Sequence, residues 1–154
     1  MGKLIVGNWK MHKTIAEAKE HLRLLLPLVF RAESEVWLAV PYTDIYIAAE
    51  SVQGSRVKIG AQNMSELLGG ALTGEVSGLM VKEAGASFVL LGHSERRRFF
   101  QEDNRSVNLK AKLANKLSLQ PIVCIGETAE ERAAGKTEEV LAKQLNETLE
   151  GVVN

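Results

Sequence analysis

Phe88-Val89-Leu90-Leu91-Gly92-His93-Ser94-Glu95-Arg96-Arg97 passes from four consecutive apolar residues to a dense polar cluster across a single glycine. A run that is apolar at every position, rather than at alternate ones, is expected of a parallel strand covered on both faces. Gly92 lets the backbone turn sharply where the strand stops. Working outward, residues 3–6, 36–40, 57–61 and 121–125 are further short runs rich in Val, Ile and Leu and mostly non-alternating, broken only by Lys3 and Lys58.

The segments between these runs carry helical spacing. Thr14 and Glu17 form a capping-box pair ahead of Ala18, Leu22, Leu25, Leu26 and Val29 on one broad stripe. Residues 45–52 follow Thr43-Asp44, and residues 76–84 are stopped by Gly85. Asp103 can cap a helix over 107–117, and Ser94 is a further candidate cap. Thr137 opens the last helix, with Glu138 and Glu139 in its first turn and Gly151 as its stop. The result is an α/β chain of five β-α units running in one direction, with no hairpin signal. Right-handed crossovers put the helices on one side of a barrel-like sheet or on both sides of an open one, as in a small flavodoxin-type binding domain.

A chain of 154 residues is long enough for one sizeable core. Lys plus Arg and Asp plus Glu balance at 19 each, so no net field draws in nucleic acid or an anionic membrane. No apolar stretch approaches the roughly 20 residues of a membrane-spanning helix, and nothing near Met1 reads as a secretory signal. The single cysteine, Cys124, excludes an internal disulfide and sits in a strand-like run, as a small core residue would. A cytoplasmic location follows as the expectation.

Chemistry is concentrated at the strand ends, where α/β proteins place ligands. In Gly7-Asn8-Trp9-Lys10, Lys10 can serve as a fixed cation for a phosphate or carboxylate. Asn8 can orient a neighbour, and Trp9 reads as packing. His93 is suited to proton exchange near neutral pH, and Glu95 beside two arginines is either a base or part of a charge network. Glu127 points to the same mouth, as a base or as a loop tie, and residues 130–136 read as a charged, solvated lead-in to the last helix. His12, His21 and His93 fall on unrelated elements, so no metal site is expected. There is no P-loop and no dinucleotide fingerprint. Residues 64–78 hold Gly69, Gly70, Gly74 and Gly78, a loop too long and flexible for plain scaffold.

Taken together, these segments resemble the triosephosphate isomerase family over nearly the whole chain. Gly7-Asn8-Trp9-Lys10-Met11, Gly60-Ala61-Gln62-Asn63, Gly70-Ala71-Leu72-Thr73-Gly74-Glu75, residues 91–97 with Phe100 and Glu102, and Cys124-Ile125-Gly126-Glu127-Thr128 with Glu131-Arg132 and Gly135 match it in order. The resemblance implies a (β/α)8 TIM barrel, of which residues 1–154 form one partial domain ending before the sixth strand. It implies interconversion of dihydroxyacetone phosphate and glyceraldehyde 3-phosphate in glycolysis and gluconeogenesis, without metal or cofactor. It also implies a homodimer or a tetramer of dimers.

By the same resemblance, His93 is the electrophile, Lys10 the active-site lysine, Asn8 its polar neighbour in substrate binding, and Glu95 the acid that positions Lys10. Thr73 lies at the tip of the 64–78 loop reaching a partner subunit's site, and Glu75 with Arg96 makes an intersubunit ion pair. Two departures stand out. The family's general-base glutamate follows its sixth strand, so this chain alone is expected to lack the base and to be inactive. Gly78 replaces a frequent proline, which suggests a looser turn. The alternative is a non-catalytic fragment or assembly module that pairs with a complementary C-terminal chain. In either case Leu4, Val6, Val123 and Ile125 are expected to lie exposed on edge strands.

Overall fold

A computed structural model describes residues 3–152, so the expected domain bounds at 1 and 154 lie outside the described residues. Its centre is one all-parallel sheet in sequential order: β1 (Leu4–Asn8), β2 (Glu35–Val40), β3 (Lys58–Ala61), β4 (Phe88–Leu91) and β5 (Gln120–Val123). Parallel neighbours need a crossover, and helices supply each one. Between the strands lie α1 (Ile15–Val29), α2 (Ile45–Ser51), α3 (Gly78–Glu83), α4 (Ser94–Phe100) and α5 (Asn104–Lys116), while α6 (Ala129–Ala133) and α7 (Thr137–Leu149) follow β5. The five parallel strands form half of a TIM barrel, five β-α units in extent.

Register divides the residues between two faces. Val6 pairs with Trp37, Ala39 with Gly60, Gly60 with Phe88, and Leu90 with Ile122, so these side chains share the inner face. Trp37, Ala39, Phe88 and Leu90 form a small cluster there, with Ile122 against it. Gly60 makes that cluster possible: a Cβ at this position would lie 2.5 Å from the Phe88 ring. On the other face Leu38, Val40, Ile59, Val89 and Leu91 join Leu22, Ile45, Val81 and Val107 in the main core beneath the helices.

The helix signals act as their chemistry requires. Thr14 and Glu17 close a reciprocal capping box on α1, and Asp103 caps α5 through the Ser106 N–H. Two short helices went unanticipated. α6 starts at a second capping box, Thr128 with Glu131, inside the stretch expected to be a solvated lead-in. α4 is capped not by Ser94 but by His93, whose Nδ1 accepts the Glu95 N–H. No described helix is long and apolar enough to cross a membrane.

The edge expectation holds for Leu4, 49 % exposed, and Val6, 37 %, both on β1; Ile125 is 39 % exposed but lies beyond the end of β5, in the loop that follows. Val123 corrects it. Paired with Leu91, it faces the helices and packs on the main core. Ile5, on the helix side of β1, is 55 % exposed and was not anticipated. Gly78 is also not loose. It is buried under the Ser77 cap, and a Cβ there would meet Leu117 at 2.6 Å and Met64 at 3.0 Å. The 64–78 loop is pinned at Met64 and Ser77, while residues 66–75 are exposed throughout.

Candidate functional site

The ends of β1, β3 and β4 bring Asn8, Lys10, Gln62, His93 and Glu95 around one cavity of about 250 Å³. A larger cavity, of about 720 Å³, lies between the ends of α1 and α2, but no histidine, cysteine or carboxylate lines it. The cavity at the carboxyl ends of the strands is the one that gathers His93 with Glu95 and Lys10.

The turn that presents His93 is held from both sides. Gly92 adopts φ +70°, and a Cβ there would crowd the Arg97 guanidinium at 2.9 Å and Val107 at 3.0 Å. Its N–H donates to Glu102 Oε2 at 3.1 Å, and its carbonyl accepts Arg97 Nε at 2.8 Å. His93 then starts α4 with its own ring as the cap: Nδ1 accepts the Glu95 N–H at 3.3 Å. Glu95 Oε2 lies 3.5 Å from the same nitrogen, which would be an ion pair only for a protonated ring. The backbone N–H is a fixed donor, so it assigns Nδ1 as the acceptor. In the neutral ring the proton then sits on Nε2.

Lys10 is held just as tightly. Its backbone is left-handed, at φ 53°, a conformation that costs a non-glycine residue about 1–2 kcal/mol. Its N–H donates to Asn8 Oδ1 at 2.9 Å. Its ammonium meets Glu95 Oε1 at 2.8 Å, and this hydrogen bond holds the Glu95 carboxyl below the usual carboxylate range. Gln62 completes the arrangement. Its amide nitrogen lies 2.8 Å from the Lys10 carbonyl, 3.1 Å from Asn8 Oδ1 and 3.2 Å from the Ala39 carbonyl.

Beneath the mouth lies a buried charge network that sequence reasoning missed. Glu102 contacts Lys110 and lies 3.3 Å from Arg96 Nε, while Lys110 also donates to Asn63 Oδ1 at 3.1 Å. Burial pushes the Glu102 carboxyl up, but the Lys110 hydrogen bond and the charges of Lys110 and Arg96 outweigh it, so the net shift is downward. Arg96 also stacks on Phe100 at 4.8 Å.

Of the remaining expected residues, Glu127 does not line the cavity. Arg132 at 2.7 Å and Thr137 at 3.3 Å hold its carboxylate, so it ties the loop. Trp9 is buried and packs edge-on against His21. Cys124 is a half-buried free thiol whose burial pushes its pKa up. Thr73 and Glu75 lie in the exposed 66–75 stretch.

A sequentially ordered parallel sheet, with its polar groups gathered at the strand ends, defines a (β/α)-barrel protein whose site is at the carboxyl mouth. The family model for triosephosphate isomerase matches residues 3–154, and the chain belongs to that family. It is 51 % identical over 149 residues to the triosephosphate isomerase of Protochlamydia amoebophila, covering 97 % of this chain and 56 % of that protein. It is 47 % identical to that of Trichormus variabilis, covering 95 % of this chain and 61 % of that one. The crystal structure of triosephosphate isomerase from Bartonella henselae superposes with a TM-score of 0.94 at 37 % identity, over 99 % of this chain and 64 % of its own. The chain thus spans somewhat under two thirds of the relatives it matches.

Proposed function

We propose that these residues form the amino-terminal, electrophile-bearing part of a triosephosphate isomerase. The reaction interconverts dihydroxyacetone phosphate and D-glyceraldehyde 3-phosphate by proton transfer through an enediolate. The observation that carries this reading is the pairing of His93, its proton assigned to Nε2, with the Lys10–Glu95 ion pair in one cavity. Nε2–H donates to the carbonyl oxygen as negative charge grows on it, and Lys10 supplies positive charge to the substrate anion. Asn8 and Glu95 fix Lys10. Residues 1–154 serve as one partial barrel domain, working in the cytoplasm in glycolysis and gluconeogenesis and needing no cofactor.

Glu95 is the one carboxylate lining the cavity among the described residues, and Lys10 occupies it. The proton-abstracting base is therefore supplied from outside these 154 residues, and the chain by itself is inactive. Purified alone, it should turn over triose phosphate several orders of magnitude more slowly than the full-length protein. Near-equal turnover would refute the missing base. Absence of isomerase activity in the full-length protein would refute the reading itself.

A second reading has its own support. The exposed Leu4, Val6 and Ile125 on or next to the free edges β1 and β5 suit an assembly module that pairs with a complementary C-terminal chain. For the assembled protein we propose a homodimer through the 64–78 loop. Thr73 reaches the partner's mouth, and Glu75 pairs with the Arg96 guanidinium of the opposite subunit.

A further inference from the structure

We propose that Gln62 is a positioning residue that holds the site lysine through its backbone. Lys10 sits in the left-handed region with no glycine or asparagine side chain to ease it, so something outside the residue must keep it there. Its side chain is about half exposed and its contact with Glu95 is a surface-type ion pair, too weak to impose a backbone conformation.

The backbone groups are better placed to do so. The Lys10 carbonyl accepts from Gln62 Nε2, and the Lys10 N–H donates to Asn8 Oδ1, an oxygen that the same Nε2 approaches. One amide therefore reaches both handles of the strained residue. It is anchored in turn on the end of β2 by the Ala39 carbonyl. Gln62 follows β3 directly, so the rigid sheet sets its reach, and it lines the same cavity as Lys10 and His93. Without this donor, Lys10 relaxes out of the left-handed region and its ammonium leaves the mouth. Glu95 cannot prevent this, because it grips only the far end of a flexible chain.

The kinetic part of this inference rests on the isomerase reading; the structural part does not. The test uses the full-length protein with Gln62→Met, which keeps the length but removes the donor, and Gln62→Asn, which keeps the amide but withdraws it by one methylene. Exchange of the Lys10 amide hydrogen should quicken about tenfold in both variants, with the Val89 and Leu90 amides unchanged. Inorganic phosphate should bind about fivefold more weakly. For triose phosphate, KM should rise about fivefold with kcat within about twofold, because a displaced cation weakens substrate and transition state alike. In a Lys10→Ala background, Gln62→Met should add less than about twofold to the phosphate dissociation constant.

An additive loss in that background would overturn the proposal, as would unchanged exchange at Lys10, or loss of protection across the whole sheet in both variants. If the full-length protein shows no isomerase activity, the isomerase reading fails. The exchange and phosphate measurements still decide the role of Gln62.

Discussion

Glu95 and Glu102 are two carboxylates at opposite ends of α4, and they have opposite duties. Glu95 faces solvent and contacts Lys10, so Glu95→Gln should leave the melting temperature of the full-length protein nearly unchanged. Its kcat/KM for triose phosphate should nevertheless fall by about fivefold, carried mostly by KM, since the Lys10 ammonium loses the carboxylate that holds it at the mouth. A parallel assay and thermal melt would show the split; an equal loss of both would contradict it. Glu102, at 3 % side-chain exposure against Lys110 at 6 %, carries the reverse expectation. Glu102→Gln strands a buried ammonium and should cost about 3–5 kcal/mol in urea unfolding, with Lys110→Met added to it restoring much of the loss.

The pH dependence follows from the sign of the shift. The folded Glu102 carboxyl lies below its ordinary value, so its contribution is complete above that value and disappears as acid carries the pH down through the lowered one. The Glu102→Gln variant should lack that acid-side loss. The residues at the mouth were legible because Asn8, Lys10, His93 and Glu95 each follow an apolar run. Glu102 and Lys110 were not, because their partnership is a tertiary event between the end of α4 and the middle of α5. Gln62 stood at the same kind of strand end but offered only an amide, with no titratable group to draw attention.

Elements were read well where an apolar stripe or run marked them. α1 and α5 came with both cap and stripe, and all five strands with runs that were mostly apolar, though β5 stops at Val123, short of the end of its run. α4 and α6 were missed because each is short and lacks a buried residue, leaving no periodic signal. Thr128 with Glu131 was a visible start signal that a highly charged neighbourhood obscured. The pairing of β3 with β4 turns on a missing side chain, since the Phe88 ring occupies the space over Gly60. Gly60→Ala should therefore overpack the inner cluster and cost about 1–3 kcal/mol, measured by chemical denaturation. A change near zero would mean that the Phe88 ring can move aside.

At the scale of the molecule, the sheet has two free edges and an inner face only partly covered. Leu4, Ile5, Val6 and Ile125 are all more than a third exposed, and burying one such side chain is worth about 1.5–3 kcal/mol. The isolated 154-residue chain should accordingly self-associate, with sedimentation rising with concentration, and a stable monomer at high concentration would argue against open edges. Which way Val123 faced could not be read beforehand, because a one-residue difference in register exchanges the two faces of a strand. The sequential strand order also bears on how such a chain is made. Each strand from β2 to β5 hydrogen-bonds to the one synthesised just before it, so within this sheet only the outer edge of β1 is left without a partner by that order. On a ribosome delivering about 5–20 residues each second, each new unit meets its template already in place. A translational pause between units leaves two open edges, that of β1 and that of the newest strand, and only the second is a growing tip.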